Sequence, residues 1–196
     1  MDTEHADPGE LALLRAAFGV GEGNGDVGGG GCGEALGWDG VREFERRHGV
    51  VLPEPYRTFV AEIADGAKAG PPDYGLVPLA ALPSDWGEGR RPERVLNRAF
   101  PLTEGWYWEN EGSEPCAELD ARIEEVFNHG SVVLGTDGCG MYWHLVVTGP
   151  HRGHIWLITG EGAGPFGAEF GFTTAEPGFA GWVGHWSAGQ SWFDEA

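Results

Sequence analysis

The chain has 196 residues, a formal net charge of -19 and 41% hydrophobic residues, among them 9 Trp and 10 Phe. The length fits one domain with appendages, and the aromatic content supports a real core, which excludes wholesale disorder. The negative field disfavours nucleic-acid phosphates and anionic membranes and draws basic partners, although charge of this size also serves plain solubility.

The N-terminus, Met1-Asp2-Thr3-Glu4-His5, has neither a basic region nor an apolar run, so no secretory signal is expected. No stretch approaches the ~18 apolar residues of a membrane span. The cysteines, Cys32, Cys116 and Cys139, are odd in number and widely spaced. They form neither a disulfide framework nor a Cys-x-x-Cys zinc site, so a reducing cytoplasmic location is expected.

Pro8 to Phe18 is a short helix candidate with Leu11, Leu14 and Phe18 on one face. Such a helix either docks on the domain or folds with a partner. Gly19 to Gly33 follows as a flexible linker by composition. It contains a formal G-x-G-x-x-G match at Gly23 to Gly28. A dinucleotide site needs that motif after a strand and at the opening of a helix, and here a helix precedes it.

Val41, Phe44, Glu45 and His48 recur at helical spacing, with Asp39 as the expected cap and Gly49 as the expected left-handed stop. Pro53 and Pro55 stand where a second helix begins, and Tyr56, Phe59, Val60 and Ile63 make its apolar stripe. Leu52 pins the corner between the two, and Asp65-Gly66 stops the second. Two amphipathic helices on a short link pack their stripes into one core. After the loop Gly70-Pro71-Pro72-Asp73, a short strand is expected from Leu76 to Leu79.

An irregular excursion begins at Leu82 and carries the chain's one basic island, Arg90, Arg91, Arg94 and Arg98, expected to fold back on acidic neighbours. Residues 101 to 125 interleave Trp106, Tyr107 and Trp108 with Glu104, Glu109, Glu111, Glu114, Glu118, Asp120, Glu124 and Glu125, against the single cation Arg122. Ala117 to Phe127 reads as an amphipathic helix with Leu119, Ile123, Val126 and Phe127 inward and the acids outward. Such a stretch is either an ordinary solvated face or a docking surface for a basic protein, in which aromatics anchor and carboxylates steer.

Ser131 to Leu134, Met141 to Val147 and Gly153 to Ile158 are strand candidates, with turns at Asp137-Gly138 and at Gly149 to Gly153. In the middle strand Met141, Trp143, Leu145 and Val147 share one face, and Tyr142, His144 and Val146 the other. Gly162 to Gly167 reads as a hairpin turn, and Phe166 to Phe172 as a further strand candidate. Phe179, Trp182, Val183 and Trp186 mark a closing helix after Pro177.

The ordered series Phe44, Gly49, Leu52-Pro53-Glu54-Pro55-Tyr56 and Tyr74-Gly75-Leu76 resembles the SUKH superfamily, which holds the Smi/Knr-type cell-wall assembly regulators and many bacterial immunity proteins. Asp137-Gly138-Cys139-Gly140, Trp143 and Gly149-Pro150 resemble the family's Gly-turn strand pair, so the resemblance covers roughly residues 38 to 187. Ala64-Asp65-Gly66 departs from the Asn-Gly-Gly-like end that many members carry on the second helix. The resemblance implies a non-catalytic module that binds a protein, often a nuclease toxin.

The residues themselves offer no strong chemistry. His144, His151, His154 and Cys139 lie near one hairpin but fit no zinc-finger or His-Glu-x-x-His spacing. Cys139 and His144 are five apart on strand-like backbone, which sends their side chains to opposite faces. No G-x-S-x-G elbow is present, and nothing fixes Asp137 against Glu125 as an acid/base pair.

The expected fold is α+β, a single domain with a twisted, mostly antiparallel sheet, an N-terminal helix pair and a C-terminal helix. Residues 1–33 form an appended helix and linker, and residues 34–196 the SUKH-like domain. The expected function is that of an immunity protein binding a basic, nuclease-type toxin. The alternative is a regulatory or scaffold module. Glu104, Trp106, Trp108, Glu109, Glu111, Glu114, Glu118, Asp120, Glu124 and Glu125 are the candidate contact residues. No cofactor, metal, nucleic acid or membrane partner is expected.

Overall fold

A computed structural model describes residues 5–19, 31–86, 94–108, 117–167 and 178–192. Among them the elements run α1 (Pro8–Ala17), α2 (Gly37–His48), α3 (Tyr56–Glu62), α4 (Ala117–Asn128), β1 (Ser131–Gly138), β2 (Met141–Val146), β3 (Ile155–Ile158), β4 (Ala163–Pro165) and α5 (Phe179–Ser187). The fold is mixed α+β, and the four strands form one antiparallel sheet in the order β1-β2-β3-β4.

The period-two pattern of β2 decides the layering. Trp143, Leu145 and Val147 join Val132, Leu134, Ile155 and Leu157 in a core shared with α1, α2, α3 and α5. Tyr142 and Val146 point the other way. They join Trp156, Ile158 and Ala163 in a second core under Val126 and Phe127 of α4. Helices therefore cover both sheet faces, and α4 is the main cover of the second.

The helix pair forms as its stripes require. Val41, Leu52, Tyr56, Phe59 and Val60 are almost fully buried. Gly49 ends α2 in the left-handed region at φ 66 and gives its N–H to the Glu45 carbonyl. Asp39 does not cap α2. The helix starts two residues earlier, at Gly37, and Asp39 instead pairs with Arg42 within the first turn. Helix α1 starts at Pro8, where the Asp7 carboxylate accepts the Gly9 and Glu10 N–H groups. It docks on the domain: Leu14 is buried, and the Phe18 ring lies 5.0 Å from Phe59.

Three expectations change. Leu76 to Leu79 is not a strand. Leu76 makes a single bridge to Ala67, Val77 donates to the Leu134 carbonyl, and Pro78 then has no N–H to continue a ladder. The turn after β1 lies at Cys139-Gly140 rather than at Asp137-Gly138, because β1 runs on to Gly138 through two register shifts. Residues 163–165 are an edge strand, not a turn, and the reversal falls at Thr159 to Gly162, where Thr159 donates to the Gly162 carbonyl. Pro165 is tolerated there because β4 is the last named strand of the sheet. The Gly23 to Gly28 match and most of Phe166 to Phe172 lie outside the described residues.

Gly130 is the joint between α4 and β1. Its carbonyl accepts the Val147 and Thr148 N–H groups, and its own N–H goes to Val95. It stands at φ 60, and a Cβ there would press on Phe100 N and come within 2.6 Å of the Arg98 carbonyl. Gly130→Ala is therefore expected to cost about 2 kcal/mol in urea unfolding, from left-handed strain and a clash with backbone that does not yield.

Candidate functional site

The described aromatic part of the stretch, residues 104–108, runs along the β4 edge of the sheet. Trp106 exchanges both backbone hydrogen bonds with Ala163, at 2.9 and 2.8 Å, and so adds one residue of ladder beside β4. This fixes the alternation of the three aromatics. Trp108 turns inward, is only 6% exposed, and donates its indole N–H to the Gly160 carbonyl at 2.7 Å. Its ring packs on Phe127 of α4. Tyr107 turns outward and is 57% exposed. Its ring covers Gly162, where a Cβ would come within 2.5 Å of Tyr107 Cδ1. Trp106 is half-buried between them, with its ring edge-on to Trp108 at 5.0 Å.

Helix α4 supplies the acids. Its apolar side holds Val126 and Phe127 in the core, with Leu119 and Ile123 partly buried against it. Glu118, Asp120 and Glu125 are consequently exposed, and Glu104 is exposed on the preceding segment. Glu124 is half-buried and accepts a hydrogen bond from Asn128 Nδ2 at 3.1 Å. The Arg122 guanidinium lies 4.1 Å above the Trp106 ring, so the helix and the aromatic segment form one surface through a cation–π contact.

Of the ten candidate contact residues, the structure brings Trp106 to α4 and leaves Glu104, Glu118, Asp120 and Glu125 on the outside. Trp108 serves from inside, because its indole N–H finds a carbonyl that holds the ring in the core. Glu109, Glu111 and Glu114 lie outside the described residues. Tyr107, which is not among those ten, is the most exposed of the three aromatics. Its exposure follows from the two-residue alternation once Trp106 is paired with Ala163, a pairing that no local pattern announces.

The residues weighed for catalysis lie in separate places. Cys139 is exposed at the β1–β2 tip, whereas His144 is fully buried, its Nδ1 3.0 Å from Ser131 Oγ. His151 and His154 approach each other at 3.3 Å between their Nδ1 atoms. Among the described residues no three His, Cys, Asp or Glu converge as a metal set. Asp137 is structural in its contacts: one oxygen accepts Trp143 Nε1–H at 2.6 Å and the other the Asp73 N–H at 2.8 Å. Burial pushes its carboxyl up from the usual range, against the pull of those two donors. No helix among the described residues is long and apolar enough to cross a membrane.

Arg94 corrects the expectation for the basic island. Among the described residues it pairs with no carboxylate. Its Nη2 donates to the Ser131 carbonyl at 2.6 Å, and its guanidinium lies over the Trp86 ring. Arg98 is exposed, and Arg90 and Arg91 lie outside the described residues.

Comparisons with known proteins agree with this arrangement at the level of family. No curated protein and no solved structure matches the chain. The model of the SMI1 / KNR4 family (SUKH-1) matches residues 39–172, which takes in the helix pair, the Tyr74-Gly75-Leu76 segment, α4 and the whole sheet. By that match, over most of its length, the chain belongs to the SMI1/KNR4 family, SUKH-1.

Proposed function

We propose that the chain is a protein-binding module acting as an immunity protein, which neutralises a basic, nuclease-type bacterial toxin by stoichiometric occlusion. The observation that carries this reading is the pair of exposed carboxylates Glu118 and Glu125, two turns apart on one side of a helix whose opposite side is fixed in the core, flanking the Arg122–Trp106 stack, with Asp120 exposed further round the helix. Carboxylates on a rigid helix steer a cationic partner, and the adjoining half-buried Trp106 ring supplies area to anchor it. Occlusion needs no nucleophile, base or metal. The binding unit in this reading is residues 34–196, with α1 docked on it from the appended segment.

The same family membership suits a second reading, a regulatory or scaffold module of the cell-wall assembly kind. Affinity capture from the source cell's lysate, at low and high salt, separates the two. The bait is compared with a Glu118→Lys/Asp120→Lys/Glu125→Lys variant. The immunity reading expects a basic, toxic partner that salt releases and the variant fails to hold. The variant's stability should stay within about 0.5 kcal/mol of the parent, since its three sites are exposed. A neutral or acidic partner held equally by both proteins at any salt would retire the acidic surface and favour the scaffold reading.

A further inference from the structure

At the β1 edge of the sheet, between the last turn of α2 and residues 79–82, lies a cavity of about 520 Å³. Phe44, Leu79, Leu82, Leu96, Val132 and Val133 supply an apolar wall. Among the described residues, the ionisable groups on its lining are Arg47, His48 and Arg94, and no carboxylate is among them. In a chain of net charge -19, a cavity whose described lining offers two arginines and no carboxylate runs against the overall composition.

Arg94 makes the contrast sharper. Its Nη2 is satisfied by Ser131, but Nε and Nη1 are closed off from solvent without a hydrogen-bond partner. It makes no ion pair among the described residues. Burial pushes this guanidinium down to about 9, so it remains charged at neutral pH. His48 is held below its usual value by burial and by Arg47, which leaves it neutral there. A buried cation with spare donors is costly unless an anion balances it, and its field is little screened inside the protein.

We propose that this cavity binds a small organic monoanion, a carboxylate carried on an apolar body. The carboxylate lies on the Arg47 and Arg94 side, and the body lies against Phe44, Leu82 and Val132. The one buried guanidinium, Arg94, balances one negative charge, while Arg47 is exposed and largely screened by water, so it directs the anion rather than balancing a second buried charge. A phosphate dianion would bring more charge than the largely apolar wall can solvate. The volume is that of small-ligand sites. This cavity belongs to α2 and β1, not to the α4 surface, so the proposal stands independently of the toxin-binding reading.

The test is titration calorimetry on the full chain with 4-phenylbutyrate, its primary amide and 4-phenylbutylamine. The acid is expected to bind, the amide about tenfold more weakly or worse, and the amine not at all. Arg47→Gln, at an exposed position, should weaken the acid severalfold while leaving the amide unchanged. Ala81→Trp, which fills the cavity from its rim, should abolish binding of both. These two variants keep the test decisive if Arg94→Gln fails to fold. No heat from the acid at millimolar concentration, equal binding of acid and amide, or undiminished binding by Ala81→Trp would each overturn the proposal.

Discussion

Glu45→Ala is expected to lower stability by about 3 kcal/mol, which at this chain length is a fall in Tm of roughly 6–12 °C. Glu45 is 8% exposed, and one oxygen takes both the Leu52 N–H at 2.9 Å and Arg57 Nε–H at 2.7 Å. Its other oxygen takes Arg57 Nη2–H at 3.0 Å. A single carboxylate therefore ties α2 to the corner and to α3. Leu52 itself is fully buried, and its carbonyl receives Arg152 from the β2–β3 turn at 3.0 Å. Removing Glu45 leaves a buried N–H and a mostly buried guanidinium without their acceptor, and the loss exceeds that of a surface pair for that reason. The figure stays at the low end of the range for a broken buried pair because the Arg57 side chain keeps 18% of its exposure.

Differential scanning calorimetry on Glu45→Ala, Arg57→Ala and the double variant would check this. The double variant should lose less than the sum of the singles, since neither partner is then stranded. A Tm shift under about 2 °C for Glu45→Ala would show that the corner is held by packing alone.

The helix pair was legible because its signals are local. Phe44, Tyr56 and Phe59 follow the 3.6-residue period, and Gly49 is read from the end of that period. The apolar side of α4 was legible in the same way from Leu119, Ile123, Val126 and Phe127. What the sequence did not reveal is which side of the sheet α4 would cover. Tyr142 and Trp143 are both aromatic, and neighbouring residues of that kind do not say which face goes with which helix.

The fate of Arg94 was hidden for a related reason. Its partner, Ser131, is 37 residues away, and its burial depends on Trp86 and the sheet rather than on its basic neighbours. Likewise Trp106, Tyr107 and Trp108 look equivalent in sequence. Only the pairing of Trp106 with Ala163, across 57 residues, sorts them into inside and outside. For the candidate surface, composition identified the acids on α4. The exposure of Tyr107 and the burial of Trp108 required the sheet.

The Asp137 clamp raises a question that mutation can answer: does the sheet need the Trp143 ring, its N–H, or both? Trp143 is fully buried, with Trp192, Trp182 and Phe166 at centroid distances of 5.0, 5.6 and 6.1 Å. Trp143→Ala empties that cluster and strips Asp137 of a donor, so a loss of about 4 kcal/mol is expected in urea. Trp143→Phe keeps most of the ring contact and removes only the N–H. The half-buried Asp137 carboxylate would then retain the Asp73 N–H alone, and a loss of about 1–2 kcal/mol follows. Asp137→Ala tests the other partner: it frees both the indole and the Asp73 N–H, which loosens the loop carrying the exposed Tyr74 from the β1–β2 tip. If Trp143→Phe costs nothing, the indole–carboxylate bond adds no stability, and the ring packing alone keeps the tryptophan. If Trp143→Phe costs as much as Trp143→Ala, the clamp rather than the aromatic cluster holds the hairpin to the 71–75 loop.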